Sequence, residues 1–260
     1  MDFKAIVITG ASSGIGATLA RQLSAPGRVL GLIGRNEDRL AAVAADCARS
    51  GSACRTGCLD IRDTNRLTAF LDAFDRDHAT DLLVANAGIL DGRRAEQVTE
   101  SGDTARQVLE INLLATIATV HAVLPAMRQR RRGGVILVSS LAGFVPLPDA
   151  PAYSASKAGL VSYGLALRDT VEVHGVRVVV ACPGFVETAM ARIHLGPRPG
   201  EISEKEAAAR IIDGFQRNRA LIGFPVVPFW LTRFSLLVPE FMRRRGARAT
   251  RFHVAPPPTE

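Results

Sequence analysis

Short apolar runs recur along the chain, each followed by small or polar residues and then by a segment with helical spacing. Residues 5–8, 28–33, 53–59, 81–85, 135–138, 176–181 and 220–226 read as seven strands. The runs are continuous rather than alternating, the pattern of strands covered on both faces. Helical segments lie between them at 17–23, 36–49, from about 63, at 102–132, 153–173 and 203–217. Asn36 is placed to cap the second helix. Ser203 and Glu206 form a capping box for the last. Strand and helix alternate throughout, which specifies one α/β domain with a doubly wound, seven-stranded parallel sheet flanked by helices.

In such a sheet, ligands bind beyond the carboxyl ends of the strands. The first strand runs into Thr9-Gly10-Ala11-Ser12-Ser13-Gly14-Ile15-Gly16 and then into a helix. Glycines there let backbone N–H groups approach a phosphate closely, and the helix N-terminus favours its charge. The spacing G-x-x-x-G-x-G differs from the G-x-G-x-x-G fingerprint but serves the same mechanism. The second strand ends at Gly34-Arg35-Asn36, where a carboxylate would bind a ribose 2′-hydroxyl and an Arg accommodates a 2′-phosphate. Arg35 therefore favours NADP(H) over NAD(H), although a solvated Arg at a helix start has the same appearance. Asp60-Ile61 closes the third strand, where Asp60 can accept from an adenine amino group or simply end the strand. Asn86-Ala87-Gly88 follows the fourth strand, and its small residues leave room for a cofactor.

Tyr153-Ser154-Ala155-Ser156-Lys157 puts a phenol and an ammonium on one helix face. A neighbouring Lys lowers a phenol pKa, which makes Tyr153 a candidate acid or base. The chain has three lysines against 29 arginines, so a Lys here stands out. A solvated face is the plain alternative. Ser140 ends the fifth strand thirteen residues earlier, and Asn112 lies inside an apolar helix face where a buried amide needs partners.

These motifs, in this order, resemble the short-chain dehydrogenases/reductases from about residue 4 to 225. The resemblance implies a single Rossmann-type domain that interconverts a carbonyl and a primary or secondary alcohol. It implies that Tyr153 is the catalytic acid or base and that Lys157 depresses its pKa and holds the nicotinamide ribose. Ser140 would donate to the substrate oxygen, and Asn112 would position a relay water. Gly10, Ser12, Ser13, Gly14, Ile15, Gly16, Arg35, Asn36, Asp60, Ile61, Asn86, Ala87, Gly88, Pro183, Gly184, Val186 and Thr188 would bind the cofactor, with no metal. Position 13 is Ser rather than the Arg or Lys of many NADP-binding members, so the NADP preference rests on Arg35. A homodimer or homotetramer is expected. A non-catalytic dinucleotide sensor on the same fold is the alternative from another class. A sugar-nucleotide epimerase lacks room for its extra domain.

Composition then narrows the setting. The chain has 260 residues, 47% hydrophobic and 22% charged, with net charge +7 and pI about 9.9. Cysteines 47, 54, 58 and 182 form no C-x-x-C pair and read as free thiols in a reducing, cytoplasmic setting. No signal peptide and no apolar run of membrane-spanning length is expected. Residues 189–202, rich in Gly and Pro, match a substrate lid in the resembling family. Residues 226–252 are apolar, then Arg-rich. They read first as a pocket wall or subunit interface, second as a peripheral membrane contact at the inner face, and last as a nucleic-acid surface, because no recognition motif is present. The apolar character favours a hydrophobic small-molecule substrate. Residues 253–260 read as a disordered tail.

Overall fold

The computed structural model describes residues 3–241, Arg245 and residues 251–255. The chain runs β1 (Ala5–Thr9), α1 (Gly14–Leu23), β2 (Val29–Gly34), α2 (Glu37–Arg49), β3 (Ala53–Cys58), α3 (Thr64–His78) and β4 (Leu82–Ala85). It continues with α4 (Gly102–Leu109), α5 (Thr116–Gln129), β5 (Gly133–Val138), α6 (Pro151–Val171) and β6 (Val176–Pro183). Then come α7 (Ala189–Arg192), β7 (His194–Leu195), α8 (Glu204–Gln216), β8 (Leu221–Phe224), α9 (Val226–Arg233) and β9 (His253–Val254).

Seven strands form one sheet in the order β3-β2-β1-β4-β5-β6-β8, every pairing parallel. The chain winds outward from β1 to β3, then returns to lay β4 on the other side of β1. That reversal leaves a crevice between β1 and β4 at the carboxyl ends. Alternate strand residues feed two apolar cores. Ala5 and Val7 face the core of α3, α5 and α6, whereas Ile6 and Ile8 face the core of α1, α2 and α8. Burial on both faces is why the strands read as continuous apolar runs. β3 is the exception. It is a sheet edge, its Cys54 and Arg55 are only half-buried, its Thr56 is exposed, and its sequence is accordingly mixed.

The helix expected over 102–132 is two α-helices joined by a π-helical segment, Glu110–Ala115. Its wider turn places Asn112 fully inside. Residues 102–129 form a continuous helical stretch that contains an 18-residue window of mean hydropathy 1.6, long and apolar enough to cross a membrane, contrary to expectation. Half of that apolar window is buried inside the molecule, because one face covers the sheet. Asn36, Asp63 and Ser203 cap α2, α3 and α8 by accepting from the N–H three residues on. The expected disordered tail is corrected at its start. His253–Val254 pairs antiparallel with His194–Leu195, because Phe252 and Val254 bury their side chains there. Residues 256–260 of that expected tail lie outside the described residues.

Candidate active site

A single cleft of about 840 Å³ runs along the carboxyl ends of the strands. At its base, β1 gives way to the glycine-rich loop. Gly10 and Gly14 have φ of +67° and +59°, a backbone that favours glycine. Gly16 packs beneath the loop: a Cβ there would collide with the Gly10 carbonyl oxygen and stand 2.5 Å from Asn86 Nδ2. Ser13 precedes α1 in an extended conformation without a side-chain cap, so its side chain leaves the first-turn N–H groups of the helix uncapped. Asn86 locks the loop to the end of β4. Its Nδ2 donates to the Thr9 and Gly10 carbonyls at 3.1 and 3.3 Å, and Thr9 Oγ1 accepts from the Asn86 and Ala87 N–H groups.

Beyond β2, Gly34, Arg35 and Asn36 line the cleft. The Asn36 side chain is committed to its helix cap on Arg39 N–H. Arg39, absent from the sequence-based set, lines the same corner one turn into α2. Both arginines are exposed. Asp60 also lines the cleft, but its two carboxylate oxygens already accept from the Arg62 guanidinium, which holds the carboxyl below its usual range.

The opposite end gathers Ser140, Tyr153 and Lys157. Tyr153 sits in the first turn of α6, where Pro151 starts the helix. Ser140 follows β5, with its Oγ accepting from Ala142 N–H and lying beside the Tyr153 hydroxyl. Lys157 Nζ donates to the Val138 carbonyl at 3.1 Å and lies 5.7 Å from the Tyr153 ring centre. Ser139 Oγ donates to the Lys157 carbonyl at 2.8 Å, so α6 is pinned to the end of β5. Asn112 spans the gap to β4. Its Oδ1 accepts from Ile89 N–H at 2.8 Å, and its Nδ2 donates to the Ile89 carbonyl and to Ser156 Oγ.

The expected lowering of the Tyr153 pKa is corrected here. Burial raises the Tyr153 phenol above its ordinary value, with the Ser140 hydroxyl opposing. Burial pushes Lys157 down to about 8, opposed by the neighbouring Cys182. Desolvation disfavours the charged form of each group, and in this state it outweighs the expected depression of Tyr153 by Lys157.

All the site residues named from sequence line this cleft except Gly16 and Asn112, which support it from behind. Pro183, Gly184, Val186 and Thr188 lie on its wall, and Thr188 caps α7. The remaining wall is mainly apolar and comes in part from 226–252, the stretch read first as a pocket wall or subunit interface. Pro228, Leu231 and Val238 from α9 and the segment after it line the cleft, together with Phe252. Phe252 packs on His194 with ring centres 4.0 Å apart. Fully buried Asp149 secures this closure: it accepts from Arg93 Nε at 2.8 Å, Arg251 Nε at 2.8 Å and Phe252 N–H at 3.0 Å. These partners are 56 to 103 positions apart, so no local motif marks them.

The model of the family described as short chain dehydrogenase matches residues 4–195. A Myxococcus xanthus protein named an uncharacterized oxidoreductase is 32% identical over 252 residues, covering 96% of this chain and 99% of its own. An Arabidopsis thaliana protein named 11-beta-hydroxysteroid dehydrogenase-like 4A is 30% identical, covering 94% of this chain and 84% of its own. A short-chain dehydrogenase from Sphingobium yanoikuyae, solved in complex with NADPH, shares the fold at TM-score 0.78 and 24% identity, covering 98% of this chain and all of that one. One from Burkholderia phymatum, solved with NAD, has TM-score 0.82 and 23% identity over 93% and 96%. With its sheet order, its glycine-rich loop and these matches, the chain belongs to the short-chain dehydrogenase family of oxidoreductases.

Proposed function

We propose that the protein interconverts a carbonyl and an alcohol, using NADP(H) in preference to NAD(H), on a hydrophobic substrate. The observation that carries this reading is one cleft joining the glycine-rich loop and the Arg35/Arg39 corner to the Ser140–Tyr153–Lys157 group. The residues fit a dinucleotide. The loop has no side chain at the positions nearest its backbone, α1 offers first-turn N–H groups to a phosphate, and no carboxylate stands at the end of β2. Related proteins have been solved with NADPH and with NAD, so the nucleotide class is supported from two sides. Arg35 and Arg39 would hold the 2′-phosphate, which favours the phosphorylated form.

When bound, the nicotinamide supplies or accepts the hydride. In reduction, Tyr153 Oη gives its proton to the substrate oxygen while the carbonyl carbon takes the hydride. Ser140 Oγ donates a hydrogen bond to the same oxygen and helps fix its position. Lys157 keeps a positive charge near the phenol, which stabilises the phenolate left behind. Asn112 holds α6 against the loop after β4, and through that contact it aligns Lys157 with a proton path from solvent. The high phenol pKa of the cofactor-free state keeps the proton on Tyr153 until an acceptor oxygen arrives. The apolar wall of Pro228, Leu231, Val238 and Phe252 sets the substrate class.

A screen of NADPH oxidation over ketones and aldehydes of graded chain length tests this. Turnover should rise with apolar chain length. Turnover of none of these carbonyls by a protein that binds NADPH would overturn the reaction assignment.

A further inference from the structure

Apolar residues on α9 and beyond point outward. Val226, Val227, Trp230, Leu231, Phe234, Leu237, Val238 and Phe241 are all at least a third exposed, and Leu237 reaches 79%. Positions 226, 230 and 234, with 227 and 231, form one stripe at helical spacing. The inner side of the same segment holds Phe229 and the more polar Thr232 and Ser235. Ser235 Oγ donates to the Phe144 carbonyl and Phe229 packs edge-on against the Phe144 ring, so the segment is anchored and not merely loose. Eight of the thirteen large exposed apolar residues among the described residues fall in this stretch of sixteen. Such a concentration marks an interaction surface.

We propose that residues 226–241 dock on an anionic lipid bilayer and that the cleft opens at this surface. Charge selects the partner. Residues 226–251 carry six arginines and one acidic residue, Glu240, in a chain of net charge +7. Arg233 and Arg245 are exposed. A second copy of this chain meeting the same patch across a two-fold axis would bring the exposed Arg233 and Arg245 of both copies to one interface, which costs energy, whereas an anionic bilayer neutralises them. Aromatic and aliphatic side chains beside arginines are the composition of an interfacial segment. Leu231 and Val238 are both exposed and lining the cleft, and Met190 of α7 is likewise exposed at its rim. The same side chains that would enter the bilayer therefore border the entrance. A lipophilic substrate could pass between lipid and cleft without crossing bulk water. This route rests on the proposed carbonyl chemistry, but the docking itself does not.

Trp230 is the only tryptophan in the chain, so its emission reports on this surface alone. The full-length protein is mixed with phosphatidylcholine vesicles, with and without phosphatidylglycerol. Docking predicts a blue shift of Trp230 emission, quenching by brominated lipid, and co-sedimentation that grows with phosphatidylglycerol and weakens with salt. Phe234→Glu and Leu237→Glu, which lie outside the cleft lining, should weaken vesicle partition about tenfold or more while leaving NADPH affinity and melting temperature unchanged. No shift and no co-sedimentation with phosphatidylglycerol vesicles would overturn the proposal. So would a blue shift that appears without lipid and grows with protein concentration, because a second copy would then cover the patch. No arm of the assay reads turnover, so its failure is separate from failure of the enzymatic reading.

Discussion

The wall of the cleft at the ends of β1 to β4 is built from residues 10–15, 34–36, 60–61 and 86–88. Each group directly follows a strand of the buried sheet, so the sheet fixes its place and a short motif marks it. The facing wall draws on residues 141–147, 189–199, 225–238 and 252, which come from loops, a short helix and a returning C-terminal segment. Their positions depend on distant ties, chiefly Asp149 with Arg93, Arg251 and Phe252. One wall is rigid because its backbone belongs to the core. The other is held by a few buried polar contacts on top of that core. The first suits a ligand common to many reactions, and the second can vary with the substrate.

The sharpest way to break this contrast is Asp149→Ala. It leaves two arginines and a backbone N–H without their buried acceptor, which should cost about 3–5 kcal/mol of stability. The loss should fall on the substrate side: KM should rise while NADPH affinity holds, measured by steady-state kinetics and direct titration. An equal loss of both would dissolve the distinction between the walls.

A smaller effect concerns Lys157. Its folded pKa is depressed to about 8 from 10.5, so between those values the unfolded chain binds more protons than the folded one. Stability of the cofactor-free protein should therefore rise with pH from about 8. Above about pH 10 Tyr153 opposes the trend, because its raised pKa keeps it protonated in the fold while the unfolded phenol ionises. Lys157→Met should stabilise the protein at neutral pH by about 3 kcal/mol and flatten the rise. Thermal melting across this range checks both. A flat wild-type profile would show that Lys157 is not desolvated as described.

The smallest expected change is in cofactor choice. Arg35→Ala with Arg39→Ala should weaken NADPH relative to NADH by about 2 kcal/mol. Equal weakening of both nucleotides would remove the 2′-phosphate role.

The same contrast explains what was legible in the sequence. The seven strands and their end motifs could be read because burial on both faces imposes apolar runs, and strand ends need small residues. Arg39 was overlooked because an exposed arginine on a helix looks like solvated charge. The π-helical turn around Asn112 has no periodicity of its own, so 102–132 looked like one ordinary helix. The pairing of His194–Leu195 with His253–Val254 was invisible because two residues carry no strand pattern and the proline-rich stretch beyond suggested disorder. The direction of the Tyr153 shift was misjudged because spacing reveals a neighbour but not the burial that it shares with Lys157.

The central claim is that Tyr153 supplies and recovers the proton at a cleft whose dinucleotide wall stands independently of it. Turnover and NADPH affinity measured side by side for Tyr153→Phe test it most directly. Turnover should fall about a thousandfold or more, with NADPH affinity within about twofold of the unaltered protein. Turnover close to that of the unaltered protein would contradict the assignment.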